Sequence, residues 1–334
     1  MKHPPQAPEA ALPREVRERP RLTRNRLASK AKSAAVYKSF VWKLLRLLLL
    51  VGLSFVILYP FLVKLSTAFI SRQDIMDSTV RFIPRHPTLE NIQLVIEYTD
   101  YWAAFANTLL VSLVCAVIQT FICTMVGYGL AKFRFRGRGL VFALVIATIV
   151  IPPQTIMVSL YMKFRYFDIF GILQALGLPT LQLNDSLIPM VLLSGTGLGL
   201  KNGLYIFVMR QFFLGVPDEL GEAAQVDGAT AKRSFFQIML PLATPMMVTI
   251  FLLSFSWQWT DTFYSSLLFA KMKLLPNIVF SVQQISQAGI FQNTMMSSVL
   301  INTAALLVVF PLIIFYLFAQ KKLVQGIERS GLVG

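Results

Sequence analysis

The sequence predicts an all-α integral membrane protein with six transmembrane helices. Of its 334 residues, 55% are hydrophobic and 14% are charged, and the mean hydropathy is +0.63. A soluble domain is usually about 45–50% apolar and about 25% charged. The excess of hydrophobic residues lies in blocks that reach the roughly 20 residues needed to cross a bilayer. The solvent of this chain is therefore mainly lipid.

Six such blocks follow one another along the chain, and each predicts one membrane span. Their approximate bounds are 41–68, 105–131, 139–162, 186–213, 242–268 and 297–319. The residues before them are rich in Pro, Arg and Lys and lack an apolar pattern, which predicts a mostly disordered basic tail over 1–40. A six-helix domain then covers 41–320, and a second tail covers 321–334.

The positions of the charges predict the topology. A net charge of +15 could suit a nucleic-acid partner, but the basic residues lie in the tails and beside the spans. The loop between spans two and three carries Lys132, Arg134, Arg136 and Arg138. Because short cytoplasmic loops are enriched in Lys and Arg, both tails and this loop are predicted to be cytoplasmic. Membrane lipid, rather than nucleic acid, is the expected surrounding. The segment 70–104 mixes both signs, which predicts an external loop with a short helix around 88–98.

Few residues could support chemistry. Cys115 and Cys123 lie in one predicted helix about 12 Å apart, too far for a disulfide. The sequence has two histidines, His3 and His86, so a His/Cys metal site or a histidine catalyst is not expected. The phosphate-binding pattern GxxxxGK[ST] is also not met, since Leu200 precedes Lys201. We predict no metal, no bound cofactor and no enzymatic activity.

Two spans contain sequence features that disturb a helix. Pro152-Pro153 lies inside the third span and predicts a kink, which fits either simple packing or a bent helix that lines a pathway. The fourth span contains Gly195, Gly197 and Gly199, which favour an unwound or closely packed segment. Lys201 follows them, and its charge fits either a functional site within the membrane or a position at the outer interface.

The segment 217–241, between spans four and five, predicts a helix–turn–helix. Pro217 and the acidic residues after it suit the first turn of a helix, and Gly228 suits the turn that ends it. A second short helix over 229–236 then leads to Pro241 at the start of span five. Such an alanine-rich helix is suited to a groove on another protein, although periodicity alone also fits a plain amphipathic loop.

This segment resembles the EAA loop of ABC importer permeases, in which Glu-Ala-Ala is followed by Asp-Gly-Ala and then by Leu-Pro. The matching positions are Glu222, Ala223, Ala224, Asp227, Gly228, Ala229, Ile238, Leu240 and Pro241. Further stretches resemble the six-span, maltose-type carbohydrate permeases, namely those around Asn107, 129–138, 210–217 and 320–326. The resemblance covers about 40–334 and implies the type I ABC importer permease fold with a cytoplasmic coupling helix.

The resemblance also implies the function and the partners. The chain would be a permease subunit of a sugar or oligosaccharide importer in a bacterial or archaeal inner membrane. A second permease subunit, two ATPase subunits that hydrolyse ATP, and an extracytoplasmic solute-binding protein would complete the transporter. The EAA residues would dock into the ATPase, with Glu222 as the charged contact. A polyol or a glycerol phosphodiester also fits as cargo.

Polar and aromatic residues within or next to the spans are candidates for a sugar pathway. These candidates are Asn107, Lys201, Trp257, Trp259 and Asp261. The tryptophans also fit an interfacial aromatic belt. An ion-coupled secondary transporter is the alternative function, but it requires buried acids and often internal repeats. Asp261 is one such acid, and no repeat is evident.

Overall fold

The structure is a computed structural model that describes residues 21–77, 79–80, 82–226, 228–287 and 294–331. It divides into two units, one up to Pro60 and the other from Phe61 onwards. The described part of the first unit is helical and belongs to α1 (Arg21–Ala68). This helix begins inside the predicted disordered tail, because Ala, Leu, Lys and Arg are strong helix formers. Residues 1–20 of that tail lie outside the described residues.

The loop after α1 is ordered by polar side chains. It contains α2 (Arg72–Met76) and α3 (Glu90–Thr99), which confirms the short helix predicted there. Buried Asn91 donates to the carbonyls of Ala68 and Ile70, at 3.3 and 2.7 Å. The His86 backbone N–H and ring hydrogen-bond to Asp74 and hold the pKa of this carboxyl below its ordinary value. These bonds fix the path of the loop back to the membrane domain.

Four helices among the described residues are long and apolar enough to cross a membrane. They cover Tyr37–Ala68, Tyr101–Lys132, Ala231–Trp259 and Thr294–Lys322. The second is α4 (Tyr101–Lys132), and the last belongs to α15 (Thr294–Gly331). These helices correspond to the predicted spans one, two, five and six, although the fifth ends at Trp259 rather than near residue 268.

The predicted third span is bent sharply. It consists of α5 (Arg138–Val150), a 3₁₀ turn (Pro153–Ile156) and α6 (Met157–Arg165), and the two halves meet at 95°. Pro153 is the first residue of the 3₁₀ turn, and a proline there cannot donate to the preceding turn. The Pro-Pro kink is therefore confirmed, and it is large enough that the two halves form a broken span or a re-entrant loop.

The predicted fourth span is also interrupted. After the short α7 (Ile172–Ala175), the chain forms α8 (Ile188–Gly195) and α9 (Asn202–Gly215), with an irregular segment between them. The unwound segment expected from the glycines is thus present. Neither half is long enough to cross a membrane alone, so the described part of the chain provides four or five spans by length and composition. The predicted count of six is not confirmed.

The remaining elements complete the second unit around α4. After the 217–241 segment come α12 (Leu240–Trp259), α13 (Phe263–Leu268) and α14 (Leu275–Gln287). Helix α4 packs against both α9 and α12, and its buried residues contribute to three apolar clusters. Gly127 allows α4 and α9 to approach closely, since a Cβ there would lie 2.6 Å from the Cβ of Met209 in α9. The end of α9 is thereby held firmly where the 217–241 segment begins.

Candidate functional site

The 217–241 segment is attached to the end of α4 by a lysine. Lys132 donates to the backbone carbonyl of Val216 at 2.6 Å and to the Asp218 carboxylate at 2.5 Å. Its side chain is only 12% exposed, whereas that of Asp218 is 71% exposed. The hydrogen bond and charge of Lys132 lower the pKa of Asp218. This pair holds the chain between α9 and the next helix against the membrane domain.

The helix that follows, α10 (Glu219–Val226), has one buried and one exposed face. The Asp218 carbonyl accepts from the N–H groups of Gly221 and Glu222, at 2.9 and 3.1 Å, and so begins the helix. On the inner face, Ala224 is buried. On the outer face, Leu220 and Val226 are exposed, the latter by 87%. The helix therefore presents apolar side chains beside acidic ones.

A glycine turn ends α10 and leads into the next helix. Gly228 has φ +79°, and the N–H of Ala229 donates to the Ala224 carbonyl at 2.8 Å. This bond closes the left-handed turn common at helix C-termini. Thr230 then caps α11 (Ala231–Ser234) by accepting from the N–H of Arg233. The turn confirms the role predicted for Gly228, while the second helix begins two residues later than expected because Thr230 is the better N-cap.

Helix α11 continues into the membrane domain without a break. A π-helical turn over Phe235–Met239 joins it to α12. Buried Phe235 lies 4.8 Å from the ring of Tyr128 in α4, and Tyr128 lies 5.2 Å from Phe213 in α9. Met239 is also buried. The base of the segment is thus packed into the core where α4, α9 and α12 meet.

The residues that match the EAA pattern differ in exposure. Glu222, Ala223 and Pro241 are exposed, Ala229, Ile238 and Leu240 are half-buried, and Ala224 is buried. Asp227 lies outside the described residues. Sequence reasoning did not single out Leu220, Val226 or Lys132. The helical spacing of Leu220, Ala223 and Val226, three residues apart, was the available signal for the exposed apolar stripe.

The interrupted fourth span brings two of the pathway candidates together. Lys201 has φ +63° and occupies the N-cap position of α9. Its ammonium lies 4.7 Å from the ring centroid of Trp257 in α12, and both residues are exposed. The irregular segment also lines a cavity of about 360 Å³ together with Tyr264 and residues near the kink of the third span. At this distance the Lys201 ammonium and the Trp257 ring form a cation–π interaction.

Buried polar groups hold the two halves of the fourth span. Gln119 in α4 accepts from the Ser254 hydroxyl and donates to the Ser194 hydroxyl at 3.4 Å. Asn202 donates to the Ser194 carbonyl at 3.0 Å across the interruption. A Cβ at Gly199 would lie 2.7 Å from the Gln119 amide nitrogen. The interruption is therefore a packed feature with specific hydrogen bonds.

The other three pathway candidates have partners within the subunit. Asn107 donates to the Lys273 carbonyl at 3.0 Å. Trp259 is buried, and its indole N–H donates to the Val308 carbonyl at 3.0 Å. Asp261 is buried and accepts from two backbone N–H groups at the start of α13. Lys201 and Trp257 are thus the two candidates that the structure places side by side on an exposed face.

The chain is similar in sequence to known transport proteins. Residues 123–329 match the family described as the binding-protein-dependent transport system inner membrane component, and the chain belongs to this family. It is 27% identical to the arabinooligosaccharides transport system permease protein AraQ of Halalkalibacterium halodurans, over 84% of this chain and 93% of that protein. It is 28% identical to the maltodextrin transport system permease protein MalD of Streptococcus pneumoniae, over 85% and 93% respectively.

A solved structure shows the same fold. The crystal structure of a bacterial ABC transporter involved in the import of the acidic polysaccharide alginate includes a chain that superposes with a TM-score of 0.64. The match covers 85% of this chain and 97% of that one, at 22% sequence identity. The expected ABC importer permease fold is therefore confirmed. The chain is a transport permease rather than an enzyme.

Proposed function

We propose that the chain is one permease subunit of an ATP-driven importer of sugars or oligosaccharides and that the 217–241 segment couples it to an ATPase. The names of two relatives support the cargo class, since they refer to arabinooligosaccharides and maltodextrin. Both termini would lie in the cytoplasm, on the side of the basic loop after α4. A second permease subunit and an extracytoplasmic binding protein would complete the pathway.

The exposed face of α10 is the observation that carries the coupling proposal. Leu220 and Val226 are exposed in the isolated subunit, and each square ångström of apolar surface that a partner covers contributes about 25 cal/mol. Ala223 between them is small enough to let a partner's backbone approach. Glu222 lies on the exposed side and can accept hydrogen bonds from a basic group of the partner. An apolar stripe with a flanking acid suits a helix that docks into a groove.

Coupling then follows from how α10 is attached. ATP binding would draw two ATPase subunits together and move the helix docked in each. Because the segment is packed against α4, α9 and α12, its movement would displace these helices together. Such displacement is how a transporter exposes a central site alternately to each side of the membrane. In this scheme the exposed pair Lys201 and Trp257 would face the pathway.

The test is ATP-dependent uptake of labelled solutes into vesicles that contain the chain and the products of neighbouring transporter genes. Glu222→Ala should lower uptake about tenfold or more, because a hydrogen bond to a charged group contributes roughly 1.5–3 kcal/mol. Val226→Asp should also lower uptake, whereas Val226→Ala is the matched control that shortens the side chain without charge. Membrane insertion and subunit assembly should remain unchanged.

The same vesicles separate the alternatives. The solutes include a maltooligosaccharide, an arabinooligosaccharide, a polyol and a glycerol phosphodiester. Uptake of only the polyol or the glycerol phosphodiester would mean that the cargo is not a sugar oligomer, and it would leave the coupling proposal intact. Full uptake without an ATPase, driven by an ion gradient, would instead favour the secondary transporter and contradict the proposal.

A further inference from the structure

We propose that Arg138 and Arg210 form a binding site for the phosphate group of an anionic phospholipid at the cytoplasmic end of α5. Arg138 is the first residue of α5, and Arg210 lies in the second half of α9. The site is separate from the 217–241 segment and from the pair Lys201 and Trp257. It does not depend on which solute is transported.

Arg210 of α9 packs against the early part of α5, the helix that begins with Arg138. The Arg210 guanidinium lies 4.0 Å from the ring centroid of Phe142, one helical turn after Arg138. Residues four apart share one face of a helix, so Arg138 lies on the side of α5 that faces Arg210. Arg138 is also held by a hydrogen bond of 3.3 Å to the Phe133 carbonyl.

This pair lacks a counter-ion within the described part of the chain. No carboxylate there lies within ion-pair distance of Arg138 or Arg210. Asp218, an acid of the neighbouring segment, is bonded to Lys132 instead. The Nε atom of Arg210 is buried and has no hydrogen-bond partner among the described residues. Two like charges without a counter-ion are unfavourable, and a phosphate would supply negative charge and hydrogen-bond acceptors for the accessible ends of the guanidinium groups.

The surroundings favour a lipid as the source of that phosphate. Beyond Arg138, α5 exposes Leu140, Val141 and Leu144, which would contact acyl chains in a membrane. The arginines lie at the end of this apolar face, where lipid headgroups are found. The α5 N-terminus adds partial positive charge, and Gly137 before it has no side chain to cap the helix. Basic pockets between membrane helices on the cytoplasmic side commonly bind anionic headgroups.

The experiment measures lipid binding to the assembled transporter in detergent. Phosphatidylglycerol is titrated against a phosphatidylcholine background, and bound lipid is counted by native mass spectrometry. Arg138→Gln and Arg210→Gln should each weaken phosphatidylglycerol binding about fivefold, the loss expected for one cation at a lipid surface. Arg136→Gln is the matched control, because Arg136 belongs to the same basic loop but is fully on the exposed side. It should leave this binding unchanged.

A second measurement distinguishes lipid binding at this site from a general change in stability and from binding of inorganic phosphate. Phosphatidylglycerol should raise the melting temperature of the wild-type complex but not that of the Arg210→Gln complex, and Arg210→Lys should restore part of the rise. Equal loss of binding in Arg136→Gln, or unchanged binding in Arg210→Gln, would overturn the proposal. An equal rise with inorganic phosphate alone would reject a lipid site. If Arg210→Gln instead causes a partner subunit to dissociate while lipid binding is unchanged, the counter-ion of Arg210 belongs to that partner. This result would also reject the lipid-site proposal.

Discussion

Replacing Gly228 with alanine tests the turn that connects α10 to α11. Its φ of +79° is costly for a residue with a β-carbon, by about 1–2 kcal/mol. A Cβ at this position would meet no atom within 4 Å, so the cost is conformational and involves no clash. Such a cost lowers the equilibrium ratio of native to non-native turn by a factor of about 5–30. We expect ATP-dependent uptake to fall accordingly while the chain still inserts and assembles.

Gly221 in the same helix offers a matched control. A Cβ there would lie 3.6 Å from the Met239 methyl group, an ordinary contact. Alanine is more stable than glycine within a helix by roughly 0.5–1 kcal/mol, so Gly221→Ala should retain full uptake. Gly228→Asn should lie between the two, because asparagine tolerates the left-handed region. If Gly228→Ala transports as well as Gly221→Ala at equal protein levels, the conformational reasoning is refuted.

Two further substitutions test the packing and the attachment of the site. Gly127→Ala should destabilise the protein by about 1–3 kcal/mol, because the added methyl group overpacks the contact with α9. Gly129→Ala should not destabilise it, since its Cβ would meet no atom closer than 4.0 Å. Thermal unfolding in detergent compares the stability of the two variants. Lys132→Met should cost about 1.5–3 kcal/mol through the loss of a charged hydrogen bond to a backbone carbonyl, and Asp218→Asn, which keeps that bond, should cost less. Because Lys132 lowers the pKa of Asp218 from its ordinary 3.8, the ion pair contributes fully above that value and is lost as the pH falls through the lower, folded-state pKa.

Each of these comparisons has an outcome that contradicts it. Equal destabilisation by Gly127→Ala and Gly129→Ala would mean that helix propensity or lipid contact, rather than the approach of α9, determines the effect. A larger loss from Asp218→Asn than from Lys132→Met would place the main attachment in the ion pair. A stability difference between wild type and Asp218→Asn that already disappears near neutral pH would contradict the direction of the pKa shift.

The sequence predicts local features of this protein well. The turn at Gly228 follows from the tolerance of glycine for positive φ, and the kink at Pro153 follows from its missing backbone donor. The interruption of the fourth span follows from the closely spaced glycines before Lys201. In each case a single residue type determines which conformations its own backbone can adopt, so no knowledge of the rest of the fold is needed.

Features that depend on distant contacts were not predictable. Trp259 is a core residue because its indole reaches the Val308 carbonyl in another helix, which nothing next to it in the sequence indicates. Lys132 looked like one of several loop cations, and only folding brings it to Val216 and Asp218. The predicted count of six spans is not confirmed for a related reason, because a hydrophobic run indicates burial in lipid but not whether its helix is continuous.

The π-helical turn at Phe235–Met239 has a mechanical consequence. Because it joins α11 to α12, Ala231–Trp259 forms a single rod of 29 residues, about 40 Å long. The glycine turn at Gly228 precedes the rod, and Trp257 lies near its other end. In the proposed coupling, a push on α10 would pass through that turn and tilt the rod. The Trp257 ring beside Lys201 would then respond to docking at α10 through a single continuous helix.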